Sequence, residues 1–143
     1  MSLKIFILNG VNLGILGQRQ TEIYGTLTLN DVESLLRNRF KSVNFEFRQT
    51  DYEGEMVRFI RESTGSSGLV INPGAWTHYS YALHDALEAV DILKIEVHLS
   101  NVHAREGWRR VSVISPAVDA VLAGIGACGY WAAVEYIIER SRG

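Results

Sequence analysis

Glu96 and His98 lie two residues apart at the end of an apolar run, where polar residues begin. On a β-strand, side chains two residues apart lie on the same face, so these two are predicted to be neighbours. A carboxylate beside an imidazole fixes its tautomer, as the partner of a general acid or base does. The backbone N–H groups of Leu99 and Ser100, with the guanidinium of Arg105 beyond them, offer a site for an anion. The segment predicts catalysis rather than core packing.

A second candidate lies in the long segment from Asn9 to Gly25, which shows no clear helix or strand pattern. Loops of this length in a compact domain are usually functional. If the guanidinium of Arg19 approached Tyr24, it would favour the phenolate, a stronger base than the phenol. The spacing alone does not show that the two groups meet. The alternative is a glycine-rich surface loop in which Tyr24 packs against the sheet.

Several other side chains favour ligand binding. His78 is predicted either to bind a ligand or to hydrogen-bond local backbone, whereas His84 is predicted to be a partly exposed helix residue. Arg105 and Arg109 are typical of carboxylate or phosphate clamps, because a guanidinium binds such groups bidentately, and Arg110 is predicted to be a surface charge.

Metal and nucleotide sites are the alternatives. Glu96, His98 and His103 could be metal ligands, but their spacing fits no recognised zinc pattern, and we expect no metal. The segment 124–129 matches GxGxxG, the dinucleotide fingerprint, yet no strand and no acidic residue follow at the required distance. Close packing of a helix on the sheet is the preferred explanation of these glycines. Cys128 is predicted to be a small buried residue.

Composition limits the class of protein. The 143 residues predict one domain over 1–143, with 47% hydrophobic residues and a net charge of −2. That charge gives no general attraction to nucleic acid or to an anionic membrane. The single cysteine excludes an internal disulfide, and no apolar run approaches the length of a membrane span. A cytoplasmic location is therefore expected.

Hydrophobic periodicity predicts alternating strands and helices. The predicted strands are 3–9, 43–49, 69–72, 92–97 and 118–125. Helices are predicted at 53–64 and 130–140, and apolar residues at helical spacing predict two more, within 29–40, capped by Thr28 or Asn30, and within 82–90. The run 111–114 is predicted to be extended without joining the sheet. The alternation implies an α/β fold with a parallel sheet covered on both faces, and ligands bind at the carboxyl ends of such strands. Polar side chains follow the first, third and fourth strands at that edge.

Five motifs together resemble type II 3-dehydroquinate dehydratase, in order and with the right gaps, from residue 3 to about residue 137. They are Leu8-Asn9-Gly10-x-Asn12-Leu13; Gly17-x-Arg19 with Tyr24-Gly25; Gln49 with Glu53-Gly54-Glu55; Val70 to Ala75 with Thr77-His78; and Glu96 to Glu106.

The resemblance implies a flavodoxin-like domain with a five-stranded sheet and a shikimate-pathway reaction: reversible dehydration of 3-dehydroquinate through an enolate, without a cofactor. Tyr24 would be the base with Arg19 favouring its phenolate, and His98, oriented by Glu96, would be the acid. The remaining implied roles are Asn12 for a water on the enolate oxygen, Leu99 and Ser100 for the substrate carboxylate, Asn72, His78 and Arg109 for the ring hydroxyls, Arg105 for the lid, and Asp85 for a neighbouring subunit's site. The family's trimers grouped into dodecamers imply a homo-oligomer.

The chain also departs from the family's pattern. Val11 and Thr21 stand where the family generally or often has proline, Asp51-Tyr52 replaces Asn-His, and Trp76 replaces a smaller or tyrosine side chain. Losing two prolines should leave the lid less pre-ordered. These departures allow a divergent paralogue, serving quinate breakdown or acting on a related cyclic hydroxy-keto acid. A flavodoxin-like binding module is the rival from another class, although residues 10–17 lack the Ser or Thr of a flavin phosphate loop.

Overall fold

In the computed structural model, which describes residues 2–18 and 20–143, five strands form one sheet. The strands are β1 (Leu3–Asn9), β2 (Val43–Gln49), β3 (Gly68–Asn72), β4 (Leu93–His98) and β5 (Ala120–Ala123). All neighbours pair in parallel, in the order β2-β1-β3-β4-β5. This is the flavodoxin-like arrangement, so the predicted fold class is confirmed.

The helices cover both faces of this sheet. They are α1 (Thr21–Tyr24), α2 (Leu29–Arg39), α3 (Glu53–Glu62), α4 (Tyr81–Glu88) and α5 (Cys128–Arg142). One apolar cluster joins α2 and α5 to the sheet through residues such as Leu36 and Ile137, and the other joins α3 and α4 through residues such as Ile60 and Leu87. Within the described part of the chain, no helix is long and apolar enough to cross a membrane.

Local chemistry sets the ends of the helices. Thr28, one of the two predicted caps, closes a capping box with Asp31: each side chain accepts from the other residue's backbone N–H, at 3.1 and 3.0 Å. The Ser80 hydroxyl caps α4 by accepting from the N–H of Leu83 at 3.1 Å.

The predicted elements are present, with differences at their ends. β4 ends at His98 rather than at residue 97, and β5 is shorter than predicted because a 3₁₀ turn (Ser115–Ala117) precedes it and Gly124, with φ 90°, ends it. Helix α3 ends two residues early. As expected, 111–114 does not join the sheet.

The described residues between β1 and α2, which are 10–18 and 20–28, contain more regular structure than their sequence predicts. They include a 3₁₀ turn (Leu13–Ile15) and the single turn of α1. Leu13 and Leu16 are buried in the core cluster of α2 and α5. Burial of these leucines pins a segment whose glycines suggested only a loop.

Candidate active site

The predicted pair of Glu96 and His98 forms at the carboxyl end of β4. His98 Nε2 is hydrogen-bonded to Glu96 Oε2, and Glu96 is fully buried. The parallel pairing of β4 between β3 and β5 places both side chains on the same face of a central strand. This contact follows from the two-residue period of a strand, so the sequence prediction is confirmed.

Hydroxyl groups from other segments hold the buried carboxylate. Thr77 Oγ1 donates to Glu96 Oε2 at 2.5 Å, and Ser115 Oγ donates to Oε1 at 2.8 Å. Burial by itself raises the pKa of Glu96, but the hydrogen bond and charge of His98, together with these hydroxyls, hold it below its ordinary value. Nothing in the spacing of Thr77 and Ser115 links them to Glu96, so their contact with it is not predictable from the sequence.

Tyr24 meets the arginine of the predicted lid. Arg105 Nη1 donates to the phenol oxygen of Tyr24 at 2.6 Å and lies 3.4 Å from Ser100 Oγ. The guanidinium carbon also lies 5.3 Å from the centre of the Tyr24 ring. The structure therefore supplies a cation beside the proposed base. Arg19, which is predicted from the sequence to favour the phenolate, lies outside the described residues.

Two adjoining cavities lie where these groups meet, of about 110 and 460 Å³. Tyr24, Leu99, Ser100 and Arg105 line both of them. The smaller cavity is also lined by Asn12, Asn72, His78, His98 and Arg109, as well as by Val11. The predicted convergence of three loops on one edge of the sheet is thus confirmed for the described residues.

Asn12 sits in a conformation that its neighbours hold. Its φ of 67° is left-handed, a region that asparagine tolerates better than most residues. Its backbone N–H donates to Asp51 Oδ1 at 2.8 Å, and Gln49 Nε2 bridges Asp51 Oδ1 and the carbonyl of Gly10, both at 3.2 Å. Asp51, one of the departures from the family pattern, therefore anchors the loop that carries Asn12.

Asn72 is held from behind by a buried tyrosine. Asn72 Nδ2 donates to the hydroxyl of Tyr130 at 3.0 Å, and that hydroxyl donates to Asn9 Oδ1 at 2.6 Å. The N–H of Gly74 donates to Asn72 Oδ1 at 3.2 Å. These bonds fix the orientation of the Asn72 amide at the cavity. Tyr130 was missed because its position in α5 indicates only a core residue.

His78 and Arg109 lie together around Trp108. His78 Nδ1 donates to the carbonyl of Val111 at 2.7 Å, and its ring makes an edge-to-face contact with Trp108, with centroids 5.1 Å apart. The guanidinium carbon of Arg109 lies 4.1 Å from the centre of the same indole ring, and Arg109 Nε donates to Glu106 Oε2 at 2.5 Å. Burial lowers the pKa of His78 despite the Val111 bond, which favours the neutral ring, and in that form Nδ1 carries the proton and Nε2 is an acceptor.

Other candidate residues lie away from this cavity. Asp85 is exposed on α4 and Arg110 is exposed as predicted. Of the described residues, only His84, Asp85 and Glu88 bring three potential metal-ligand atoms within 4.8 Å of one another. The ligand atoms of Glu96, His98 and His103, the alternative metal ligands suggested by the sequence, do not all lie within that distance of one another.

The GxGxxG segment has two structural explanations. A Cβ on Gly129 would lie 2.9 Å from Val97 Cγ1, which confirms close packing of α5 on the sheet at that position. Gly126, with φ 58°, instead permits a left-handed turn before α5. The prediction of a buried Cys128 is wrong: the residue is exposed, because it begins α5 on the side away from the sheet while Gly129 faces it.

Comparison with known proteins gives full-length similarities. A family model described as "Dehydroquinase class II" matches residues 3–138. A Bartonella henselae protein named 3-dehydroquinate dehydratase is 50% identical over 143 residues, covering 98% of this chain and 97% of that protein. A Verticillium alfalfae protein named catabolic 3-dehydroquinase is 46% identical, covering 95% and 93%. The crystal structure of type II dehydroquinase from Butyrivibrio crossotus superposes with a TM-score of 0.92 at 41% identity, covering 95% and 97%.

Proposed function

The chain belongs to the class II dehydroquinase family, and on that premise we propose that it reversibly dehydrates 3-dehydroquinate to 3-dehydroshikimate through an enolate. One observation carries the proposal: a phenol with a cation beside it and an imidazole with a carboxylate beside it line the same cavity. A proton next to a ketone is weakly acidic, so its removal needs a positioned base and stabilisation of the oxyanion that forms.

The first step removes a proton. Tyr24, as phenolate, takes the proton from the carbon next to the ketone, and the electron pair of that bond forms the enolate. Arg105, 2.6 Å from the phenol oxygen, compensates the negative charge of the phenolate. Arg19 is proposed as a second cation for the phenolate of Tyr24. Asn12, at the wall of the cavity, positions a water molecule on the enolate oxygen.

The second step expels water. The oxyanion re-forms the ketone, the electron pair of the enolate double bond forms a new carbon–carbon double bond to the next carbon, and the bond from that carbon to its hydroxyl group breaks. His98 gives this group a proton, so that it leaves as water, and Glu96 compensates the positive charge that the ring carries as an acid. The substrate carboxylate binds at the N–H groups of Leu99 and Ser100. Asn72, His78 and Arg109 bind the ring hydroxyls, and no cofactor is required.

A direct assay tests this function. The product has a carbon–carbon double bond conjugated with its ketone, so its formation from 3-dehydroquinate is followed by ultraviolet absorbance. We expect rapid growth of this signal with the unsubstituted protein and its loss with Tyr24→Phe. Tyr136→Phe, on an exposed part of α5, is the matched control. No signal from the unsubstituted protein would reject the substrate, and full activity of Tyr24→Phe would reject the assigned base. Turnover of related cyclic hydroxy-keto acids would then test the divergent paralogue.

We also propose a homo-oligomer in which Asp85 reaches a neighbouring copy's site. Its exposed position on α4, away from its own cavity, supports this arrangement. Native mass spectrometry should show multiples of three chains, consistent with a dodecamer. Asp85→Ala should lower activity, whereas a monomer with full activity in both forms would reject this proposal.

A further inference from the structure

The hydroxyl groups around Glu96 allow the direction of each hydrogen bond to be worked out. Ser112 Oγ accepts from the N–H groups of Ile114 and Ser115, at 3.2 and 2.9 Å. Ser112 Oγ and Thr77 Oγ1 lie 2.7 Å apart, and either could be the donor. Thr77 has one hydroxyl proton, and it is directed at Glu96 Oε2. Ser112 must therefore donate to Thr77.

The resulting chain of donors runs one way. It begins at two backbone N–H groups, passes through Ser112 and Thr77, and ends on Glu96 Oε2, while Ser115 donates to Oε1. Both carboxylate oxygens thus receive hydroxyl protons. An ionised carboxylate only accepts hydrogen bonds, and two hydroxyl donors together with His98 hold the pKa of Glu96 below its ordinary value, so the arrangement favours the carboxylate over the carboxylic acid. The last bond, from His98 Nε2, must then also be a donation to Glu96.

We propose that Thr77, Ser112 and Ser115 are positioning residues that fix the His98 tautomer through Glu96. In this state Nε2–H of His98 donates to Glu96 whether the ring is neutral or charged, and Nδ1 is the nitrogen that exchanges a proton with the substrate. The inference rests on the proposed function for its catalytic consequence, but the tautomer itself does not depend on the substrate.

The titratable and charged groups that face this pair, among the described residues, come from several elements. Besides His98 on its own strand, Glu96 faces a cavity lined by His103, Arg109 and Arg110, and His78 lies close enough to interact with both members of the pair. The two arginines lie at the wall of that cavity, where Arg109 is paired with Glu106 and Arg110 is exposed, so the groups that bond Glu96 directly are His98 and the hydroxyl donors.

The tautomer is tested on the resting protein. Long-range ¹H–¹⁵N correlation spectra distinguish protonated from unprotonated ring nitrogens, and His98→Asn assigns the signals among the four histidines. We expect Nε2 of neutral His98 to be protonated and Nδ1 to be unprotonated. A neutral ring protonated on Nδ1 would overturn the proposal. This readout needs no activity, so it separates the proposal from the proposed function.

The positioning role is tested with Thr77→Val, which removes the hydroxyl and keeps the shape. Because one donor to an ionised group is lost, kcat should fall about tenfold with little change in KM. The pKa of Glu96 should rise, so the acidic limb of the kcat profile should move to higher pH. Thr77→Ser should restore both, and Ser115→Ala should act as Thr77→Val does.

Ser63→Ala is the matched control for these variants. Ser63 is fully buried and its hydroxyl donates to the carbonyl of Ile60 at 2.6 Å, at the end of α3 far along the chain from Glu96. It should leave the pH profile unchanged. A fall in kcat without movement of the acidic limb, or a limb that moves equally in Ser63→Ala, would overturn the positioning role. If Thr77→Val does not fold, the tautomer spectrum of the unsubstituted protein still decides the proposal.

Discussion

The guanidinium of Arg105 donates to the phenol oxygen of Tyr24 at 2.6 Å across 81 residues of sequence. The bond joins the segment after β1 to the segment after β4, and it places a positive charge on the atom proposed as the base. The same guanidinium lies over the ring of Tyr24. This one side chain therefore holds the base in place and compensates its charge.

Replacing Arg105 should slow the chemical step. Arg105→Ala removes a hydrogen bond from a charged donor, and kcat should fall roughly 10- to 100-fold. The kcat of Arg105→Lys should lie between those of the unsubstituted protein and Arg105→Ala, because an ammonium keeps the charge but lacks the guanidinium fork. The measurement is the initial rate of enone formation. Arg61→Ala, exposed on α3, is the control, and an equal rate for Arg105→Ala and Arg61→Ala would contradict the prediction.

Removing the hydroxyl of Tyr130 should weaken both stability and binding. Tyr130→Phe leaves the buried amides of Asn9 and Asn72 without a shared partner, so the free energy of unfolding should fall by about 1–3 kcal/mol. The orientation of Asn72 is also released, and KM should rise. Urea unfolding at a fixed protein concentration measures the first effect. Tyr136→Phe, at a tyrosine that is 39% exposed, should change stability little; a similar loss in both variants would argue against the buried network.

The pKa values of His78 and His84 should be shifted in opposite directions from that of an ordinary histidine. Burial depresses the pKa of His78, whereas the hydrogen bond to the Val113 carbonyl raises that of His84, with further help from Glu88, against the opposing effect of burial. The stability that His78 contributes is present above the ordinary histidine pKa of about 6.5 and is lost as pH falls through its own pKa. The contribution of His84 is complete below that ordinary value and is lost as pH rises through its raised pKa.

NMR titration of the ring protons measures both shifts, with His78→Gln and His84→Gln as assignments. The difference in unfolding free energy between the unsubstituted protein and His78→Gln should shrink at acidic pH, and that for His84→Gln should shrink at alkaline pH. Two coincident titrations near the ordinary value would show that neither local environment acts as described.

Alanine at two glycines should have opposite effects on stability. At Gly129 the new methyl group would lie 2.9 Å from Val97 in the packed interface of α5 with the sheet, which should cost about 1–3 kcal/mol. At Gly54 in α3 a Cβ meets nothing within 4 Å, and alanine should stabilise the helix by about 0.5 kcal/mol. Thermal or urea unfolding compares the two. A stable Gly129→Ala would show that α5 can move away from β4 at little cost.

The sequence by itself determined the succession of strands and helices along the chain and the edge of the sheet at which the site lies. It also determined the contact of Glu96 with His98. These features depend on short-range periods: apolar residues repeat every two positions in a strand and every three to four in a helix, and parallel strands bring their carboxyl ends together. The five motifs at and after β1, β2, β3 and β4 together indicated the family.

Only the tertiary structure decided which distant side chains meet. The bond of Arg105 to Tyr24, the hydroxyl chain through Ser112 and Thr77, and the bridge of Tyr130 between two asparagines each join separate segments. The exposure of Cys128 was decided in the same way, by the rotation of α5 on the sheet. A period along the chain fixes the face on which a residue lies, but its partner depends on how far apart elements pack and how each is turned.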